Sequence, residues 1–217
     1  IGSQIQKNTR FFVGSQEIEP GSGWNYEKLL QAFSRKSPSP RTLAEKMVSE
    51  YSRHYQRIFA NYTLSASNMY YFRALEYQTS EVSEALIHLL RSSQGPKIAS
   101  LIKEIRSSKH LSTIFSNSNY IDLSHFYKSL QKKIPELPAE TRDHAKTKSL
   151  LEKIEVCQCI LQKTIIKRAS GTKAPHAHGL SIYFPEEHVC AQYAKTIFSE
   201  KTAWTMFLLE YLRMTKK

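Results

Sequence analysis

Several residues in this chain have types and spacings that could do chemistry. Glu17 and Glu19, in Glu17-Ile18-Glu19-Pro20, form a carboxylate pair of the kind that serves as general acid and base. Two residues apart on a loop, they are equally consistent with side chains that face solvent. His176, His178, His188 and Cys190 offer imidazole and thiolate, the donors of a zinc site, but their spacing matches no standard zinc pattern, so no metal is assigned. Ser181 sits in Gly179-Leu180-Ser181-Ile182-Tyr183, half of a G-x-S-x-G nucleophile elbow, and its place inside a strand-like alternation removes it as a nucleophile. Cys157, Cys159 and Cys190 are an odd set of thiols, and the first two point in different directions on a helix. They read as reduced and partly buried rather than as a disulfide framework. No Gly-rich phosphate loop is present.

The elements that must position these residues alternate between helix and strand. Phe11, Phe12 and Val13 form an apolar run too short for a helix and bounded by Gly14 and Ser15, which predicts a strand buried on both faces of a sheet. Pro20, Gly21 and Gly23 then break regular structure, while Glu17, Glu19 and Trp24 are more than a connector requires. In a parallel α/β sheet such a loop lies beyond the carboxyl end of its strand, where ligands bind.

Helices are expected over 26–33, with Leu29, Leu30 and Phe33 on one side, and over 41–59. Ser37-Pro38-Ser39-Pro40 separates them. A brief strand is expected over 63–67, and Asn68 as the N-cap of a helix that Gly95-Pro96 ends. Further helices are expected around Ile98 to Ile105, from Asp122, and around Leu150 to Ile154, the last after a linker bracketed by Pro135 and Pro138. Residues 160–169 suggest a strand. Leu180, Ile182 and Phe184 alternate with Ser181 and Tyr183, the most strand-like pattern in the chain. Two helices close it, over 189–198 and 203–214. Helices outnumber strands so heavily that the Phe11 strand lacks partners to cover its edges and faces. That shortfall suggests a segment before Ile1, and an opening Ile in place of Met points the same way.

At 217 residues, with 41% hydrophobic and 23% charged, the chain has ordinary globular proportions and room for a core. No apolar run reaches the length of a membrane span, and the first ten residues lack a signal-peptide core. Compartment is unreadable from this stretch. The net charge of +12 raises nucleic acid or an acidic surface as a partner. The basic residues are nevertheless scattered at helix-like intervals, from Lys97 through Lys128 to Arg168, with no zinc-finger or RNA-binding signature. Solvated helix faces are the better reading and nucleic acid a weak third candidate.

Val13-Gly14-Ser15-Gln16-Glu17-Ile18-Glu19-Pro20-Gly21-Ser22-Gly23-Trp24 resembles the ASQETEPG-x-GW segment of clostripain-like cysteine endopeptidases, part of the wider caspase and gingipain group. His178-Gly179-Leu180-Ser181-Ile182-Tyr183-Phe184-Pro185 resembles that family's A-x-GLSIYFP strand. Thr202-Ala203-Trp204-Thr205-Met206-Phe207-Leu208 resembles its terminal helix, and Tyr120-Ile121-Asp122-Leu123 looks like one of its helix starts. Order and spacing agree over nearly the whole chain.

The resemblance implies a caspase-like α/β sheet flanked by helices, of which this chain holds the C-terminal part. Residues 1–60 would form the C-terminal part of the peptidase core with its substrate loop. Residues 61–217 would form a helix-rich region with strands near 161–169 and 180–184. It implies peptide-bond cleavage by a Cys nucleophile with a His partner, both upstream of Ile1, so no catalytic residue is expected in this chain. That N-terminal segment and a peptide or protein substrate are the implied partners. The expected substrate-binding residues are Ser15, Gln16, Glu17, Gly21, Ser22, Gly23 and Trp24. Family members often carry Asp where Ser22 stands, to pair with a basic substrate side chain. The neutral Ser22 leaves Arg or Lys specificity to Glu17, Glu19 or the upstream half, and mildly favours the alternative of a non-catalytic peptide-binding descendant. No cofactor is indicated by the residues. The resemblance leaves calcium, and a secreted or cell-envelope location, open.

Overall fold

The computed structural model describes residues 1–34, 38–138 and 144–216. In chain order the elements are α1 (Gly2–Ile5), β1 (Phe11–Gly14), α2 (Tyr26–Ser34), α3 (Pro40–Tyr55), β2 (Thr63–Asn68), α4 (Phe72–Leu90), α5 (Gly95–Ser107) and β3 (Tyr120–Asp122). There follow α6 (Leu123–Lys133), α7 (His144–Thr164), β4 (Ile165–Ser170), β5 (Ser181–Tyr183), α8 (Ala191–Ala194), α9 (Ile197–Lys201) and α10 (Trp204–Thr215). The side chain of Phe33 and the backbone of Ser37 lie outside the described residues.

The strands form a three-stranded sheet in the order β1-β2-β4 and a separate β3-β5 pair. Every pairing is antiparallel, which corrects the parallel sheet expected around Phe11. All four residues of β1 are half-buried rather than enclosed on both faces. An apolar triplet specifies that a strand is buried, not its direction or its number of covered faces. Among the described residues β1 pairs only with β2, with Gly14 opposite Ser65.

One face of this sheet is covered by α3. Ala44, Val48, Tyr51 and Tyr55 recur every three or four residues and pack on Leu64 and Ala66 of β2. Ser39 caps this helix through Thr42 N, and Pro40 opens its first turn, where a missing N–H costs nothing. The helix ends at Tyr55, leaving Ile58 and Phe59 outside it and exposed. On α2, Leu29 is 7% exposed but Leu30 is 66% exposed, so only the first joins the core.

The larger core lies among α4, α5, α6, α7, α10 and the β3-β5 pair, with Leu86, Ile102, Phe126, Trp204 and Phe207 fully enclosed. Each such side chain contributes about 1.5–3 kcal/mol by leaving water. Asn68 caps a single 3-10 turn, Met69–Tyr71, which leads directly into α4. Gly95 and Pro96 open α5 rather than close α4. The strand expected over 160–169 begins only at Ile165, because Leu150, Ile154, Cys157, Leu161 and Thr164 continue one buried helical stripe. The helix expected over 189–198 is divided into α8 and α9 by Thr196, whose hydroxyl accepts Ser199 N–H at 3.3 Å. No helix among the described residues is long and apolar enough to cross a membrane.

Candidate functional site

The loop after β1 is held at its root by one buried hydroxyl. Thr63 Oγ1, at the start of β2, accepts the backbone N–H of Gln16 at 3.0 Å and of Glu17 at 2.9 Å. Those two bonds use its acceptor capacity and leave its own proton for Ser15 Oγ, 2.9 Å away. Ser15 Oγ in turn accepts Glu17 N–H at 3.1 Å. The Glu17 carboxylate is committed as well: it accepts Ser116 N–H at 3.1 and 3.0 Å, Asn61 Nδ2 at 3.2 Å and Ile18 N–H at 2.9 Å. Glu17 thus ties the loop to the segment before β3.

Gln16 reaches the other way. Its Nε2 donates to Asp122 Oδ2 at 2.8 Å, and its Oε1 accepts Gly179 N–H at 2.8 Å. Asp122 is completely buried and accepts two further N–H groups, His125 N at 2.7 Å as the N-cap of α6 and His178 N at 2.6 Å, with His178 Nδ1 close by at 3.3 Å. A buried carboxylate needs this many donors to offset its lost hydration. Gly179 has φ +109°, and a Cβ there would stand 3.0 Å from Ser65 Cβ. Its carbonyl accepts Ser65 Oγ at 2.7 Å. The glycine therefore lets β2, the β1 loop and the approach to β5 meet at one point.

At the loop tip, Gly23 N–H bonds Pro20 O at 3.0 Å, closing a turn, and Gly23 takes φ +69°. Tyr55 donates its hydroxyl proton to Gly23 O and lies 2.9 Å from Ser22 Oγ, so Ser22 is the donor of that pair. Gly21 has open space around it. Trp24 Nε1 donates to Glu19 Oε2 at 2.6 Å, and its ring packs edge-on against Tyr51 with centroids 5.4 Å apart. Burial, followed by the Glu19 carboxylate, pushes the Tyr51 phenol well above its ordinary range. The seven expected substrate-binding residues therefore fall into two groups. Ser15, Gln16 and Glu17 are internal anchors, while Gly21, Ser22, Gly23 and Trp24 form the presented rim.

The remaining motif residues converge on the same framework. Trp204 Nε1 donates to Tyr183 O at 2.7 Å, and the rings of Phe126, Phe184 and Trp204 meet edge to face. His125 Nδ1 pairs with Thr113 Oγ1 at 2.9 Å, and its ring faces His176 at 4.9 Å. Burial, then the neighbouring His176, holds the His125 pKa below its usual value, against an opposing pull from Asp122. Among the described residues, no group of three His, Cys, Asp or Glu could hold a metal ion. Ser181 lies in β5, as its alternation implies.

None of the three thiols bonds an imidazole among the described residues. Cys157 is fully buried, 3.9 Å from Thr79 Oγ1, and burial pushes its thiol up to about 12. Cys159 is exposed, and Cys190 Sγ donates to Gln192 Oε1 at 2.6 Å. Sequence reasoning missed Thr63 and Tyr55, whose types carry no positional signal. It reached Asp122 only as a helix start, although an acidic N-cap in a chain with a His-containing loop at 176–178 was the available clue.

The model of the Clostripain family matches residues 2–211. Among solved structures, a B. fragilis cysteine protease superposes with TM-score 0.58 at 16% identity, over 94% of this chain and 83% of that one. A clostripain from Bacteroides thetaiotaomicron, solved with a peptide inhibitor, gives TM-score 0.58 at 12% identity, over 93% and 80%. An inactive zymogen C11 protease from Parabacteroides distasonis gives 0.56 at 12% identity, with 93% of this chain covering 54% of that one. No curated protein matches the sequence. The mixed α/β arrangement is the fold of these proteases.

Proposed function

The chain belongs to the clostripain family, and on that footing we propose that it forms the substrate-loop and C-terminal part of a cysteine endopeptidase whose nucleophilic Cys and His partner lie upstream of Ile1. The observation that carries this reading is the doubly anchored loop. Thr63 and Ser116 hold one side of it, and the Gln16 bonds to Asp122 and Gly179 hold the other, so the 21–24 rim is presented from a rigid root beyond the carboxyl end of β1. The edge of β1 that faces away from β2 has no partner among the described residues, which supports a strand from an upstream segment docking there. In that assembly an imidazole-activated thiolate attacks the peptide carbonyl, and the imidazolium returns the proton to the leaving amine.

The rim also suggests how substrate is read. Both Glu17 oxygens are engaged and Ser22 is neutral, whereas Glu19 uses Oε2 for Trp24 and keeps Oε1 for a basic side chain. The rival reading, a non-catalytic peptide binder, draws on Ser22, whose hydroxyl serves Tyr55 rather than a charged ligand. The full-length protein is expected to hydrolyse peptides after Arg or Lys, and a Cys-to-Ala change in the upstream segment to abolish this. Equal activity with and without that Cys would sink the proposal, and binding without hydrolysis in both would favour the rival.

A further inference from the structure

A cavity of about 480 Å³ opens between α6, α7, β4 and the loop that leads to β5. Lys128, Lys167, Arg168 and His178 line it above a floor that includes Leu161 and Leu180, and none of its lining residues is acidic. We propose that this cavity binds an oxyanion of the phosphate class carrying about two negative charges, either free or as the phosphoryl group of a small organic molecule.

Two of the three cations, Lys128 and Arg168, are held by bonds of their own. His178 Nδ1 lies 2.5 Å from His176 O and 3.3 Å from Asp122 Oδ1, both acceptors, which places the proton on Nδ1 and leaves Nε2 as an acceptor. Lys128 Nζ donates to that Nε2 at 2.7 Å, which fixes the ammonium and leaves two N–H groups for a ligand. Arg168 spends one Nη1 proton on Ala177 O at 2.6 Å, which orients its fork and leaves four N–H groups.

Lys167 and Arg168 are consecutive on β4, so their side chains leave opposite faces of the strand. Both nevertheless line the cavity, at the register irregularity where Ile166 is the extra residue of β4 opposite the Ala66/Ser67 step of β2 and the regular alternation is interrupted. Charged edge strands also occur simply to resist aggregation. Here, however, three cations share one concave space with no carboxylate on its walls. A monoanionic ligand would offset one of them and a phosphoryl dianion two, with an Arg fork and Lys point charges suited to its oxygens. The apolar floor gives room for an organic carrier.

The test is calorimetric titration of the full-length protein with inorganic phosphate and with phenyl phosphate, at constant ionic strength. Saturable one-to-one binding of at least one is expected, weakened about tenfold or more by Lys167→Gln and by Arg168→Gln. Lys46→Gln, which removes an exposed charge on α3 outside the cavity lining, should leave it unchanged. Tighter inorganic phosphate indicates a free anion as the ligand, and tighter phenyl phosphate an organic carrier. Because Arg168 also bonds Ala177, Lys167→Gln guards against a folding defect. No saturable heat with either probe, or equal weakening by Lys46→Gln and Lys167→Gln, would overturn the proposal.

Discussion

Gln16 and Asp122 are joined side chain to side chain at 2.8 Å across 106 positions of the chain. The same amide takes Gly179 N–H, 163 positions away, so one glutamine links the loop after β1, the N-terminus of α6 and the approach to β5. This makes Gln16 a structural hub of the candidate site.

Gln16→Ala should therefore destabilise the fold. It leaves Gly179 N–H without its acceptor and Asp122 with one donor fewer, each worth about 1–3 kcal/mol when buried. A fall in the thermal midpoint of roughly 2–4 °C per kcal/mol is the expected readout. An unchanged midpoint would show that the hub is solvated and dispensable.

Gly179 and Gly21 make a matched pair. Alanine at 179 must adopt φ +109° with a Cβ 3.0 Å from Ser65 Cβ, whereas nothing lies within 4 Å of a Cβ at Gly21. Gly179→Ala should cost upwards of about 1 kcal/mol and Gly21→Ala within about 0.5 kcal/mol of nothing. Denaturant unfolding of both variants compares them directly, and equal costs would contradict the close approach at Gly179.

His125 provides the pH dependence. Burial and His176 lower its folded pKa beneath the unfolded value, so the neutral ring is the form the fold prefers. Its contribution to stability is present above the unfolded pKa and is lost as pH falls through the folded one. NMR titration should give His125 a midpoint below about 6.5, the ordinary histidine value. A midpoint at or above that value would mean that Asp122 outweighs desolvation.

Glu19 should set selectivity if the peptidase reading holds. Glu19→Gln keeps an acceptor for Trp24 Nε1 but removes the rim's available charge. The expected result is a loss of about tenfold in kcat/KM for substrates with Arg or Lys, with little change in the thermal midpoint. An equal loss for neutral substrates would assign Glu19 a purely structural role.

Much of the fold was legible because helices announce themselves through period. Val48, Tyr51 and Tyr55 on α3, and Leu123, Phe126, Tyr127 and Leu130 on α6, are buried where their spacing places them. Asp122 was readable as a cap because capping is local. Sheet direction was not readable, since Phe11 to Val13 say nothing about which strand lies beside them. Nor was the end of α7, where Leu161 and Thr164 extend the helical stripe just before the β-branched Ile165 and Ile166 begin a strand. The loop was found through its residue types, but the division between anchors and rim was not. Gln16 and Glu17 look like polar loop residues until distant partners, Asp122, Gly179 and Ser116, are in place.

The most direct measurement is labelling of the full-length protein with a peptide-borne thiol-alkylating probe, followed by peptide mapping. Modification of a single Cys upstream of Ile1 is expected. Cys157, fully buried with its thiol pushed up to about 12, should stay unmodified, and Cys159 and Cys190, neither bonded to an imidazole, should not be labelled selectively. Selective, activity-linked modification of Cys157, Cys159 or Cys190 would contradict the assignment of this chain as the substrate-loop part of a peptidase whose nucleophile lies elsewhere.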